Sequence, residues 1–145
     1  MTLLEIMIVV AILADVMIIA IPGLIRAKQT SQNAKFEENL RIAAAAFQMY
    51  YVENGSWPAS AAAGVVPAGM ALYLKGMDFS EATPLGGSWQ WDNDSSTRRA
   101  GIITSITPND SLRMQKVDNQ IDNGVLATGS FQSVSGNVYA YYLEF

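Results

Sequence analysis

Residues 1–25 of the chain, MTLLEIMIVVAILADVMIIAIPGLI, contain two unbroken apolar runs, at 6–14 and at 16–21. Glu5 and Asp15 are the only charged side chains before Arg26. A helix on the surface of a globular domain keeps a polar stripe, whereas this segment is apolar nearly all round. Because about 20 predominantly apolar residues span the hydrocarbon core of a bilayer, the sequence predicts a membrane-spanning helix.

The carboxylates of Glu5 and Asp15 are unusual in a segment that is otherwise apolar. A charged side chain at mid-bilayer costs roughly 2.5–3.5 kcal/mol on insertion scales, so an acid at that depth indicates a function. Glu5 lies one turn from the start of the chain, where the terminal amine of Met1, in the same or a neighbouring chain, could be its positive partner. The alternative is that Glu5 lies among the lipid headgroups and is hydrated. The residues alone leave both interpretations open.

Residues 2–13, TLLEIMIVVAIL, together with Pro22, resemble the mature N-terminus of the type IV pilin superfamily. That superfamily includes the pilins and the pseudopilins of type II secretion. Its pattern is a methylated first residue, usually Phe, then Thr-Leu-Leu-Glu and a long apolar run. Met1 replaces the usual Phe, and Asp15 stands where the family is normally apolar or has Gly.

The resemblance implies roles for four residues of this chain: Met1, Glu5, Pro22 and Gly23. Glu5 would neutralise the terminal amine of Met1 in an adjacent subunit. The helix would kink near Pro22, where proline removes a backbone donor, and this region would extend when subunits pack into a filament. A plain bend where the helix leaves the membrane is the alternative for Pro22 and Gly23.

The family also implies processing and export. A short basic leader is removed just before the first residue, so we expect Met1 to be a processed terminus and prepilin peptidase and the pilus assembly machinery to be partners. Arg26 and Lys28 follow the apolar run, and the positive-inside rule alone would place the larger part of the chain in the cytoplasm. A lost basic leader reverses that orientation.

Composition narrows the classes of function. The chain has 145 residues, which permits one domain plus an anchor, and a net charge of −4. It contains no Cys and no His, which removes disulfides, thiolate metal sites and the commonest general base. We therefore expect no enzyme, no cofactor and no metal, and the absence of a basic half predicts no nucleic-acid partner.

The first helix is predicted to continue to Asn54-Gly55, and its second half is amphipathic. Apolar side chains at 36, 40, 43, 47 and 50 are spaced 4, 3, 4 and 3, which is one helix face. We divide the chain into a membrane or filament-core half of the helix at 1–25, an amphipathic half at 26–54 and a globular head at 55–145. Residues 53–58, ENGSWP, resemble the turn that follows the first helix in the family.

The head is predicted to be a small antiparallel sheet with short helices. Alternation of Trp89 and Trp91 with polar residues predicts a strand, and further strands are expected at 99–107, 131–134 and 138–143, the last two joined by a turn at 135–137. A short helix is predicted at 67–75 and another at about 111–123. The fold class is α+β: a long N-terminal helix whose second half packs on the sheet.

Four groups outside residues 1–25 are candidate sites, each with a plainer interpretation. The run Asp92-Asn93-Asp94-Ser95-Ser96 has oxygen ligands but lacks the Gly and Glu of a calcium loop, so a hairpin turn is preferred. Asp118 and Asp122 lie one turn apart and could act as an acid–base pair, but a solvated face is preferred. The pair Arg98-Arg99 could contact DNA, with a surface pair preferred. The aromatic side chains of the long helix could carry electrons, with core packing preferred: Phe36, Phe47, Tyr50 and Tyr51.

The leading hypothesis is a subunit of a type IV pilus-like extracellular filament, a helical homopolymer that assembles from an inner-membrane pool. The first alternative is a major pseudopilin of type II secretion. Such pseudopilins typically hold calcium in an acidic loop near the C-terminus, and the matching residues here, 133–137, include no carboxylate. The disulfide of many pilins is also absent. The second alternative is a monomeric, membrane-anchored binding protein, which would not need Glu5.

Overall fold

The structure is a computed structural model that describes residues 1–94 and 99–144. Helix α1 runs from Leu3 to Asn54 and is followed by a 3₁₀ turn at Met70–Leu72. Strands β1 (Trp89–Asp94) and β2 (Arg99–Ser105) precede helix α2 (Ser111–Ile121), and strands β3 (Phe131–Ser135) and β4 (Val138–Glu144) complete the chain. The chain divides into two units, one of residues 1–32 and one from Asn33 onward. The predicted α+β class, with one long helix and an antiparallel sheet, is confirmed.

The four strands form one antiparallel sheet in the order β1-β2-β4-β3. Strand β2 pairs with β1 on one side and with β4 on the other, from Ser105 opposite Val138 to Ala100 opposite Glu144. Helix α2 lies in the connection between β2 and β3. The central pair of the sheet therefore joins segments that are distant in sequence.

The second half of α1 supplies one wall of the core. Phe36, Leu40, Ala43 and Phe47 are at most 1% exposed, and Tyr50 packs at the edge of the same cluster. Two aromatic pairs join this helix face to β1: Phe36 stacks on Trp89 and Phe47 stacks on Trp91, with ring centroids 5.2 and 3.8 Å apart. The predicted helix face and the predicted alternation of β1 are both confirmed.

Helix α2 is joined to α1 by polar contacts as well as by its apolar face. The Nε of Arg113 donates to the Oδ1 of Asn33 at 2.6 Å. The amide of Gln120, oriented so that its nitrogen donates, lies 2.8 Å from both carboxylate oxygens of Glu37. Burial raises the pKa of Glu37, and the nearby charge of Arg41 opposes that increase.

The end of α1 and the start of α2 are each explained by the residue at that position. Helix α1 ends at Asn54 because Gly55 takes a left-handed φ of 71° and its amide donates to the carbonyl of Tyr51 at 2.8 Å. The side chain of Asp110 caps α2 by accepting from the amide of Arg113 at 3.0 Å.

Three expected boundaries were wrong. The helix expected at 67–75 is only the turn at Met70–Leu72, because Gly69 has a φ of 83° that no right-handed helix accommodates. Strand β2 ends at Ser105 rather than at 107, because its partner β4 begins at Val138, opposite Ser105. Strand β1 extends to Asp94, so the run from Asp92 that was interpreted as a hairpin turn begins as strand, with Asp94 opposite Arg99.

Candidate assembly segment

The first unit exposes a continuous apolar surface. Every side chain of residues 1–31 is exposed, and the large apolar ones between Met1 and Ile25 are all more than half exposed. Within the described residues, α1 is the one helix long and apolar enough to cross a membrane. Soluble monomers rarely expose contiguous apolar patches of more than a few hundred Å², so this surface requires a lipid or protein environment.

Glu5 closes a reciprocal cap at the start of α1. The backbone amide of Thr2 donates to the Oε2 of Glu5 at 2.8 Å, and the amide of Glu5 lies 3.3 Å from the Oγ1 of Thr2. This is a capping box, which satisfies donors that the first turn of a helix leaves free. The Thr-x-x-Glu spacing of residues 2–5 is the sequence signal for such a box. Glu5 therefore has a structural role within its own chain in addition to any role between chains.

Pro22 lies inside α1, and the residues on both sides of it are helical. The expected continuation past Pro22 is confirmed, and local unwinding is not seen in the isolated chain. At Gly23 an added Cβ would meet no atom within 4 Å. A shallow apolar depression of about 460 Å³ lies here, lined by Ala20, Ile21, Gly23, Leu24 and Ala27. The extension of this region in a filament stays a prediction.

No protein-family model and no curated protein matches the chain. Among solved structures it matches the major type IV pilin PilA1 from Clostridium difficile, with a TM-score of 0.51 and 14% sequence identity. The match covers 81% of this chain and 97% of that one.

The chain has the fold of a type IV pilin. The resemblance first seen in residues 2–13 is thereby confirmed at the level of the fold. At 14% identity the likeness assigns no function to individual side chains, so the roles of Met1, Glu5, Pro22 and Gly23 between chains stay predictions.

In the head of this pilin fold, the described residues of the candidate calcium loop and of the candidate basic pair contact other residues of the head. Asp92 accepts a hydrogen bond from the Oγ of Ser60 at 2.9 Å, which ties β1 to the loop before it. Ser95, Ser96 and Arg98 lie outside the described residues. Over the described ranges, no three acidic side chains come together as metal ligands would. Arg99 lies over the ring of Tyr142, with its Cζ 5.1 Å from the ring centroid.

The aromatic side chains of α1 pack against aromatic side chains of the head, and three of them belong to one connected set of ring contacts: Phe36, Phe47 and Tyr51, with Trp57, Phe79, Trp89 and Trp91. Phe36 and Phe47 are buried against the two tryptophans of β1, as described above. Tyr50 contacts Tyr73 edge-on at 5.5 Å, and Tyr51 stacks on Trp57 at 4.5 Å. The preferred interpretation, core packing, agrees with the burial of Phe36 and Phe47, whereas Tyr51 is 40% exposed and lies outside the core.

Asp118 does not lie on a solvated face, so the interpretation preferred from the sequence was wrong for this residue. It is fully buried, and neither carboxylate oxygen has a hydrogen-bond partner among the described residues. Burial raises its pKa, and the negative charge of Asp122 raises it further; the backbone amide of Gly124 opposes this increase, although it does not reach hydrogen-bond geometry with the carboxylate. Asp122 instead accepts from the backbone amides of Ser130 and Phe131, at 2.5 and 3.3 Å. The two acids therefore have different environments and do not form a pair in a cleft.

Proposed function

We propose that this chain is the structural subunit of a type IV pilus-like extracellular filament, assembled from a pool of subunits held in the inner membrane. The observation that carries the proposal is the fully exposed apolar half of α1 in a chain with a pilin fold. Lipid covers this surface in the unassembled subunit. In the filament, the same surface of neighbouring subunits replaces the lipid, so no apolar area is exposed at either stage.

Glu5 gives such a bundle its axial register. A carboxylate in an apolar bundle is expensive unless a cation lies beside it, and the terminal amine of Met1 in a neighbouring subunit supplies that cation. Processing by prepilin peptidase would create this amine at Met1. Mass spectrometry of the N-terminal peptide tests the processing step, because a methylated Met1 is expected.

The capping box allows the charge of Glu5 to be tested separately from its cap. Gln can occupy the third position of a capping box, so Glu5→Gln keeps the cap and removes the charge. Glu5→Ala removes both, and Thr2→Ala weakens the cap while keeping the charge. The chain and these variants would be expressed with a pilus assembly system, and sheared surface material would be examined by electron microscopy alongside the amount of subunit in the membrane.

We expect filaments from the wild type and from Thr2→Ala, and few or none from Glu5→Gln and Glu5→Ala, with similar amounts of subunit in the membrane throughout. Normal filaments from Glu5→Gln would show that the cap, and not the charge, is what assembly needs. Absence of filaments from the wild type, with a stable monomer in the membrane, would favour a membrane-anchored binding protein and overturn the proposal.

A further inference from the structure

Asp15 is a second acid in the exposed apolar half of α1, and no base of its own helix can reach it. It separates the apolar runs at 6–14 and 16–21 and is exposed in the isolated chain. The nearest bases along the chain are Arg26 and Lys28, 11 and 13 residues further on. At 1.5 Å of rise per residue these lie about 16 and 20 Å away along a continuous helix. No base of its own helix can therefore neutralise Asp15, whereas a second copy of the chain can supply one.

The charges of residues 1–32 are arranged so that a second copy can supply that partner. The two acids, Glu5 and Asp15, lie in the first half, and the two bases, Arg26 and Lys28, lie in the second. A parallel copy displaced along the helix axis by about three turns brings its basic end level with Asp15. The terminal amine that serves Glu5 is not needed for this second contact.

Helix geometry favours Arg26 over Lys28. At 3.6 residues per turn, Arg26 lies about 20° around the helix from Asp15, and Lys28 lies about 140° from it. Copies arranged around a common axis all turn the same face inward, so side chains on one face of different copies meet at that axis. Arg is also better suited than Lys to an ion pair away from water, because its planar guanidinium forms two parallel hydrogen bonds with a carboxylate.

We propose that Asp15 of one subunit pairs with Arg26 of a second copy displaced by about three helical turns, as a second determinant of register in the filament. This inference rests on the proposed function. The pair is compatible with the Glu5 contact. For Glu5 to reach the Met1 amine of an adjacent copy, the two copies must be displaced along the axis by about 6–10 Å, which is four residues of helical rise plus the length of the side chain. Two or three such steps equal the displacement that the Asp15–Arg26 pair requires.

Charge exchange tests the pair. The variants are Asp15→Asn, Asp15→Arg, Arg26→Asp and the exchange Asp15→Arg with Arg26→Asp, with Asp15→Arg plus Lys28→Asp as the matched control. Filament yield would be divided by the amount of subunit in the membrane, so that an insertion defect is not read as an assembly defect. We expect each single variant to lower this ratio about tenfold or more, and the exchange with Arg26 alone to restore most of it, because one removed partner leaves an unpaired buried charge.

The absence of cysteine in the chain provides a second measurement. Filaments would be assembled from a mixture of wild-type, Asp15→Cys and Arg26→Cys subunits and then oxidised, with Lys28→Cys replacing Arg26→Cys in the control. Since a disulfide requires Cα atoms within about 7 Å, a linked dimer in the first mixture and its absence from the control are expected.

The outcomes separate this inference from the proposed function. Wild-type filaments with an equal yield from Asp15→Asn, rescue by Lys28→Asp instead of Arg26→Asp, or a disulfide that forms in the Lys28→Cys control and not in the first mixture would each overturn the Asp15–Arg26 pair and leave the filament subunit intact. No filaments from the wild type would overturn the proposed function itself.

Discussion

The ring of Phe47 stacks on the indole of Trp91 with centroids 3.8 Å apart and planes inclined by 10°. Both side chains are fully buried, and Phe47 also contacts Phe79 edge-on at 5.9 Å. This stack joins the long helix to the first strand of the sheet. The amphipathic half of α1 is therefore part of the core of the head, and not only a connection to the apolar half.

We predict that Phe47→Ala lowers the free energy of unfolding of the head by about 3–5 kcal/mol, the range for removing a large buried aromatic side chain. Denaturant unfolding of the full chain in detergent, followed by tryptophan fluorescence, measures this because Trp89 and Trp91 are both in the core. Met49→Ala is the matched control: Met49 lies on the same helix but is 56% exposed, so a change within about 0.5 kcal/mol is expected. Equal losses in the two variants would contradict the core position of Phe47.

Gly87, two residues before β1, approaches the backbone of Ser105 at the end of β2 so closely that no side chain fits. Its φ is 93°, and an added Cβ would lie 1.8 Å from the carbonyl oxygen of Ser105. We predict that Gly87→Ala costs at least about 2 kcal/mol, because the backbone itself must move. Gly136→Ala is the control. Its φ is 50° and an added Cβ would meet no atom within 4 Å, so only the cost of a left-handed backbone for Ala, about 1–2 kcal/mol, applies. A smaller loss at Gly87 than at Gly136 would refute the prediction.

The N-cap of α2 can be tested by one substitution. Because Asp110 accepts from the amide of Arg113, Asp110→Ala should lower the free energy of unfolding by about 0.5–2 kcal/mol. Ser111→Ala, one residue later and outside the cap, should have little effect. The same denaturant titration compares the two, and an equal response would remove the cap as the cause.

Local sequence patterns predicted the elements whose residues repeat regularly. The 4, 3, 4, 3 spacing from Phe36 to Tyr50 specified the buried face of α1, since side chains three and four apart share a helix face. The alternation around Trp89 and Trp91 specified the buried face of β1. Glu5 is a candidate site because of its place in an apolar segment and the resemblance to pilins, and its hydrogen bonds with Thr2 follow from the four-residue Thr-x-x-Glu pattern.

The features that depend on long-range packing could not be predicted from local sequence patterns. The pairing of β2 with β4 joins residues more than 30 positions apart, such as Ser105 and Val138, and no local pattern encodes it. The burial of Asp118 has the same origin. Asp118 follows Met114 by four residues and so lies on the apolar face of α2. From the sequence alone, acids at 118 and 122 indicated a polar face, because the packing of the core over this face is not visible in a local pattern.

Asp118 makes the stability of the head depend on pH. Its pKa is raised above the ordinary value of 3.8 by burial and then by the charge of Asp122. Between 3.8 and the raised folded pKa, the folded state therefore holds more protons than the unfolded state, and stability falls as the pH increases through this window. Burial raises the pKa of Glu37 as well, so the slope of the wild type has contributions of the same sign from both groups.

The difference between wild type and Asp118→Asn isolates the contribution of Asp118. The substitution keeps the shape and removes the charge, so above the folded pKa we expect the variant to be more stable than the wild type, because only the wild type must then hold an ionised carboxylate away from water. This advantage should shrink as the pH falls to about 3.8, where wild-type Asp118 is protonated in the folded state. Asp122→Asn is the control and should destabilise at neutral pH, because the carboxylate of Asp122 accepts from two backbone amides. Unfolding titrations at several pH values measure both variants. A destabilised Asp118→Asn at neutral pH would mean that the ionised carboxylate has a stabilising partner, contrary to its unpaired burial.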